Sequence, residues 1–128
     1  FGYLMANFSD FKKLGNLGQV ASRIYNSCVN QPDYAGGKES ENSKLTKLLD
    51  KKVFFKNGAE GVFVAIIPDQ KISVVVKILD GNARASSTAI AGMISELNII
   101  DKTKLELFLN KPIANSIGDT IGDISWIG

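Results

Sequence analysis

The residues best suited to chemistry lie together in Lys56-Asn57-Gly58-Ala59-Glu60-Gly61. A lysine followed by two glycines within five residues sets an ammonium beside backbone that can close around a small ligand. Such a lysine either loses its proton on burial and acts as a general base, or stays charged and holds a carboxylate. Taken alone, the same tripeptide start is also what an ordinary hairpin turn looks like, and Glu60 reads equally as a polar site residue or as a partner for Lys56. Histidine is absent from the 128 residues, so no histidine triad, dyad or histidine-ligated metal centre can form within the chain. Any catalysis must combine Ser, Thr or Tyr with Lys, Asp or Glu.

Two other spacings invite a chemical reading and are better explained structurally. Ser9-Asp10-Phe11-Lys12 matches Ser-x-x-Lys, but its surroundings read as a polar link between helices. Lys44, Lys47, Lys51 and Lys52 are interleaved with Glu39, Glu41 and Asp50, the pattern of a solvated face. Cys28, the one cysteine, excludes an internal disulfide and reads as a small buried apolar residue. Trp126 is expected in a core or interface.

The elements that must position Lys56 follow from hydrophobic period. Phe1, Leu4, Met5 and Phe8 mark an apolar helix, and the chain is expected to be the interior of a longer protein. Leu17, Val20, Ala21, Ile24 and Cys28 predict a helix that ends near Asn30, ahead of Pro32, with Asn16 and Gln19 as a capping box. Residues 33–42 read as loop, and a short helix over 43–49 should bury Leu45, Leu48 and Leu49. Val53-Phe54-Phe55 opens a strand running into Lys56. The apolar run 61–67 suits a strand buried on both faces. A turn at 68–71 leads to an alternating strand over 72–78, completing a central antiparallel hairpin. A helix over 83–97 should pack Ala89, Ile90, Met93, Ile94 and Leu97, with Ala85, Ala89 and Gly92 allowing close approach to the sheet. Asp101 should cap a further helix carrying Leu105, Phe108 and Leu109, and 123–127 a final strand. The order predicts one α+β unit over residues 1–128, an antiparallel sheet covered by helices.

Composition is that of an ordinary folded chain: 45% apolar, 22% charged, and 15 basic against 13 acidic residues. That balance argues against nucleic acid as a partner, and no apolar run is long enough to span a bilayer.

Over a longer span the sequence resembles the bacterial asparaginase II family, the Rhizobium-type asparaginases. Pro32 with Gly36-Gly37, Lys56 to Val62, Lys77 to Ala85 (with Asp80, Gly81 and Arg84), and Asn115 with Gly118 and Gly122 follow its ordered motifs. The likeness covers about Pro32 to Ile127. It implies hydrolysis of L-asparagine to aspartate and ammonia by Ser–Lys chemistry, on a fold related to serine β-lactamases and glutaminases. In those enzymes a Lys-Thr-Gly element stands beside a Ser-x-x-Lys nucleophile. Lys56 matches the family's catalytic lysine, and Gly58 and Glu60 fall to the substrate side. The nucleophilic serine belongs to the family's N-terminal half, so the chain is expected to be the C-terminal portion of a larger domain. Some members carry a zinc-binding cysteine fourteen residues before that lysine; here Asn42 stands there, so neither metal nor other cofactor is expected. The partner implied is L-asparagine, with a homodimer possible, no membrane contact and a cytoplasmic location. The alternatives are a non-catalytic binding relative or a glutaminase-like enzyme of the same fold.

Overall fold

The computed structural model describes residues 2–8, 10 and 16–128. It divides into two compact units, Phe1–Asn57 with Phe63–Val75, and Gly58–Val62 with Val76–Gly128. The chain is mixed α+β, with one three-stranded and one two-stranded sheet among the described residues. No helix among the described residues is long and apolar enough to cross a membrane.

The first unit holds helices α1 (Gly2–Ala6), α2 (Leu17–Asn30), α3 (Pro32–Gly36) and α4 (Glu41–Leu48), then strand β1 (Phe54–Asn57) and most of β2 (Val62–Ile67) and β3 (Ile72–Lys77). The strands are ordered β1-β2-β3. β1 and β2 run antiparallel with Phe54 opposite Ile66 and Lys56 opposite Val64. The short link through Pro68–Gln70 forces β2 and β3 antiparallel as well, since a parallel pair needs a crossover of a dozen residues. β2 is central, and Phe63, Ala65, Ile66 and Ile67 are all buried, as the unbroken apolar run predicts.

Pleating sorts the side chains of β1. Phe54 points to the face that packs Met5, Ala6, Ala21, Tyr25 and Val29. Phe55 points to the other face, where its ring meets Phe63 edge-on at 6.2 Å. Each fully buried side chain of this size is worth about 1.5–3 kcal/mol. Tyr25 is also tied down at its polar end, its hydroxyl lying 3.1 and 3.0 Å from the carbonyls of Lys51 and Lys52.

Several expectations are corrected here. α2 has the predicted bounds, but Asn16 makes no side-chain cap; its φ and ψ are already helical, which turns the side chain away from the first amides. The buried stripe of α2 is Gly18, Ala21, Tyr25 and Val29, while Leu17, Val20 and Ile24 are exposed. Ala21, Tyr25 and Val29 of this stripe pack in one cluster with Phe54 and Ile66 of the sheet. The expected loop over 33–42 is mostly helical. Pro32 occupies the first turn of α3, where its missing N–H costs nothing. Ser40 caps α4 by accepting from Ser43 N–H at 3.2 Å. Leu45 and Leu49 are buried as expected, whereas Leu48 is half-buried.

The second unit contains α5 (Ala83–Glu96), a 3-10 turn at Lys102–Leu105, α6 (Glu106–Leu109), and strands β4 (Asn110–Ala114) and β5 (Thr120–Ser125). Asn82 caps α5, accepting from Arg84 N–H at 2.9 Å. Asp101 caps the next turn through Thr103 N–H at 3.0 Å, and those bonds to the carboxylate hold its pKa below the ordinary range. Ile90 and Ile94 are buried as predicted, but Met93 is exposed and its place is taken by Ser87, Ala91 and Ser95. The close approach at Gly92 is to Trp126, not to a sheet strand: a Cβ there would lie 2.1 Å from the indole.

β4 was not foreseen, and the last strand is Thr120–Ser125 rather than 123–127. Pro112 within β4 masks the strand pattern. The strands pair antiparallel, with an irregularity at Ile113/Ala114. Asn115 builds their turn, its Oδ1 accepting from the N–H groups of Ile117 (3.1 Å) and Asp119 (2.9 Å), and Gly118 supplies φ +96°.

Candidate functional site

Lys56 sits at the third position of β1, on the face of Phe54 and Val64. Unlike Phe54 it is exposed. It makes no ion pair among the described residues. Its charge is felt at Cys28 of α2: burial pushes that thiol up, and the Lys56 ammonium partly opposes the rise. Cys28 is half-buried against the core rather than fully enclosed.

The strand end beside Lys56 is held from α4. Asn42 Nδ2 donates to Asn57 Oδ1 at 2.8 Å, and Asn57 N–H donates back to Asn42 Oδ1 at 3.2 Å. Thr46 Oγ1 accepts from Phe55 N–H at 3.4 Å one turn further on. Asn42 is therefore committed to holding β1, and a neutral amide with both ends bonded does not fit a zinc ion. Among the described residues no group of three or more Cys, Asp or Glu is placed to hold a metal.

Gly58 and Glu60 lie in the corner between β1 and β2. Gly58 N–H donates to the Val62 carbonyl at 2.8 Å. Glu60 has φ +54° and Gly61 φ +69°. A Cβ at Gly61 would lie 2.8 Å from Ile78 Cβ, so both conformation and space select glycine there. Lys77 Nζ donates to the Glu60 carbonyl and, at 3.0 Å, to that of Ile78, while Gly61 accepts from Ile78 N–H at 3.1 Å. The corner at Gly58–Val62 and the chain from Lys77 to Gly81 thus interlock within the second unit, and Lys77 is the clamp. The Glu60 carboxylate is exposed and forms no ion pair among the described residues, with Lys56 or otherwise.

Ser9 and Lys12 lie outside the described residues. The basic group behaves as a solvated face: Lys44 pairs with Glu39 at 3.4 Å and Lys47 with Asp33 at 2.6 Å, both half-exposed, pairs worth about 0–1 kcal/mol. A serine–lysine contact that spacing did not reveal joins Ser87 of α5 to Lys111 of β4, Nζ to Oγ 3.0 Å. The residues are 24 apart and meet only through the fold: β5 packs on α5 and carries its partner strand β4, which itself left no clear period.

The chain is thus mixed α+β, with Lys56 exposed near the end of β1. A family model for L-asparaginase II matches residues 1–126. The chain belongs to the L-asparaginase II family, and the match extends the likeness ahead of Pro32 to the first residue. No curated protein matches it.

Proposed function

We propose that this chain is the C-terminal portion of an L-asparagine amidohydrolase that uses Ser–Lys chemistry. The observation that supports this reading most is the family match along residues 1–126. The reading assigns three roles. A serine outside the motifs seen here attacks the side-chain amide carbon and expels ammonia, and water then releases aspartate. Lys56 takes part in that proton transfer or holds the substrate carboxylate, a role supported by an exposed ammonium at a strand end braced through Asn57. Gly58 and Glu60 form the backbone and polar edge on the substrate side. No step passes through a metal.

The test is ammonia release by the intact protein supplied with L-asparagine and, separately, L-glutamine. Turnover of asparagine well above glutamine supports the reading; preference for glutamine moves it to a glutaminase-like enzyme, and no turnover of either to a binding relative. The 128-residue chain alone should release no ammonia above background. Turnover by that chain, abolished in Ser9→Ala, would instead place the nucleophile at Ser9.

A further inference from the structure

We propose that the cleft between the first turns of α5 and the β4–β5 hairpin binds a small carboxylate, at a site separate in its residues from Lys56. The cleft measures about 200 Å³ and is lined by Arg84 and Lys111 with Pro112, Ile113, Ala114 and Ile124. It is therefore below the ~300–1,000 Å³ of pockets for drug-sized ligands. Both cations are held in place. Arg84 Nε donates to Asn82 Oδ1 at 3.2 Å, which leaves the other guanidinium donors to project from the helix start. Lys111 Nζ donates to Ser87 Oγ at 3.0 Å and lies 6.0 Å from the centre of the Phe108 ring. Ser87 is 2% exposed, too covered to act as a nucleophile, so the contact serves to fix the ammonium.

Charge favours an anion here. Arg84 makes no ion pair among the described residues. Lys111 stands opposite Ile124 in the hairpin, and both line the cleft. The start of α5, a 14-residue helix, adds a favourable field for negative charge. The remaining walls are hydrocarbon. A carboxylate can turn two oxygens to the cations and lay a short alkyl body on Ile113 and Ile124. Phosphate would leave oxygens against apolar walls without partners, which is costly.

The experiment is calorimetric titration of the intact protein with sodium butyrate at neutral pH and low salt, with inorganic phosphate in parallel. One butyrate per chain is expected, with phosphate at least about tenfold weaker. Arg84→Gln and Lys111→Met should each weaken butyrate by about tenfold or more. Arg84→Gln is the decisive variant, because Arg84 is exposed and its loss leaves nothing buried unpaired. Absence of butyrate binding, phosphate binding as tightly as butyrate, or unaltered butyrate affinity in Arg84→Gln would each overturn the proposal.

Discussion

Asn42 and Asn57 are bonded reciprocally, side-chain amide to side chain at 2.8 Å and backbone N–H to side chain at 3.2 Å. This pair ties α4 to the strand end that carries Lys56. Asn42 is 3% exposed, so neither bond is readily replaced by water. Asn42→Ala should destabilise the fold by about 1–3 kcal/mol, read as a lower urea midpoint with an unchanged slope. An unchanged midpoint would mean that the pair does not brace the strand.

Tyr25 makes stability depend on alkaline pH. Burial, reinforced by the Asp69 carboxylate, pushes its phenol up to about 12 from an ordinary 10. The unfolded chain gives up this proton first. The contribution is therefore complete below about pH 10 and is lost as pH rises toward 12. Thermal melts from about pH 8 to about pH 11 should show a decline that Tyr25→Phe makes shallower. Equal declines in the two proteins would assign the effect to other groups.

Gly92 tests the second unit. Replacing a mid-helix glycine with alanine ordinarily gains about 0.5–1 kcal/mol. Here the new Cβ would fall 2.1 Å from the Trp126 ring, and overpacking costs about 1–3 kcal/mol. The second effect is larger, so Gly92→Ala should lower stability and shift Trp126 fluorescence to the red. A stabilised variant with unshifted fluorescence would show that the indole does not rest on Gly92.

The parts legible in the sequence were those with a strong period or a local cap. β2 stood out as an unbroken apolar run, α5 by its helical period, and the turn after Asp101 had its cap in the expected place. α3 was missed because glycines at 36 and 37 read as loop, although Pro32 suits a helix start. The rotation of α2 was missed because its most apolar stripe is not its buried one; packing chose Gly18, Ala21 and the anchored Tyr25. At the candidate site, Lys56 was visible as a motif. Its brace through Asn42 and the Lys77 clamp on Glu60 depend on contacts across the fold, which no local spacing encodes.

Cys28 reports on Lys56 without any substrate. The ammonium opposes the upward push of burial on the thiol, so Lys56→Met should make Cys28 alkylate more slowly with iodoacetamide near neutral pH. Lys47→Met, whose lysine pairs with Asp33, should leave the rate unchanged. Equal rates in the wild type and Lys56→Met would show that the ammonium does not act on this thiol.

The most direct measurement is asparagine hydrolysis by the intact protein with and without the Lys56 amine. General acid–base groups typically contribute about 10²–10⁴-fold in rate. Lys56→Met should lose at least about 10²-fold in kcat/KM while its melting temperature stays close to that of the wild type. Lys47→Met should turn over asparagine almost normally. Near-normal turnover by Lys56→Met would contradict the account and reduce Lys56-Asn57-Gly58 to a turn between two strands.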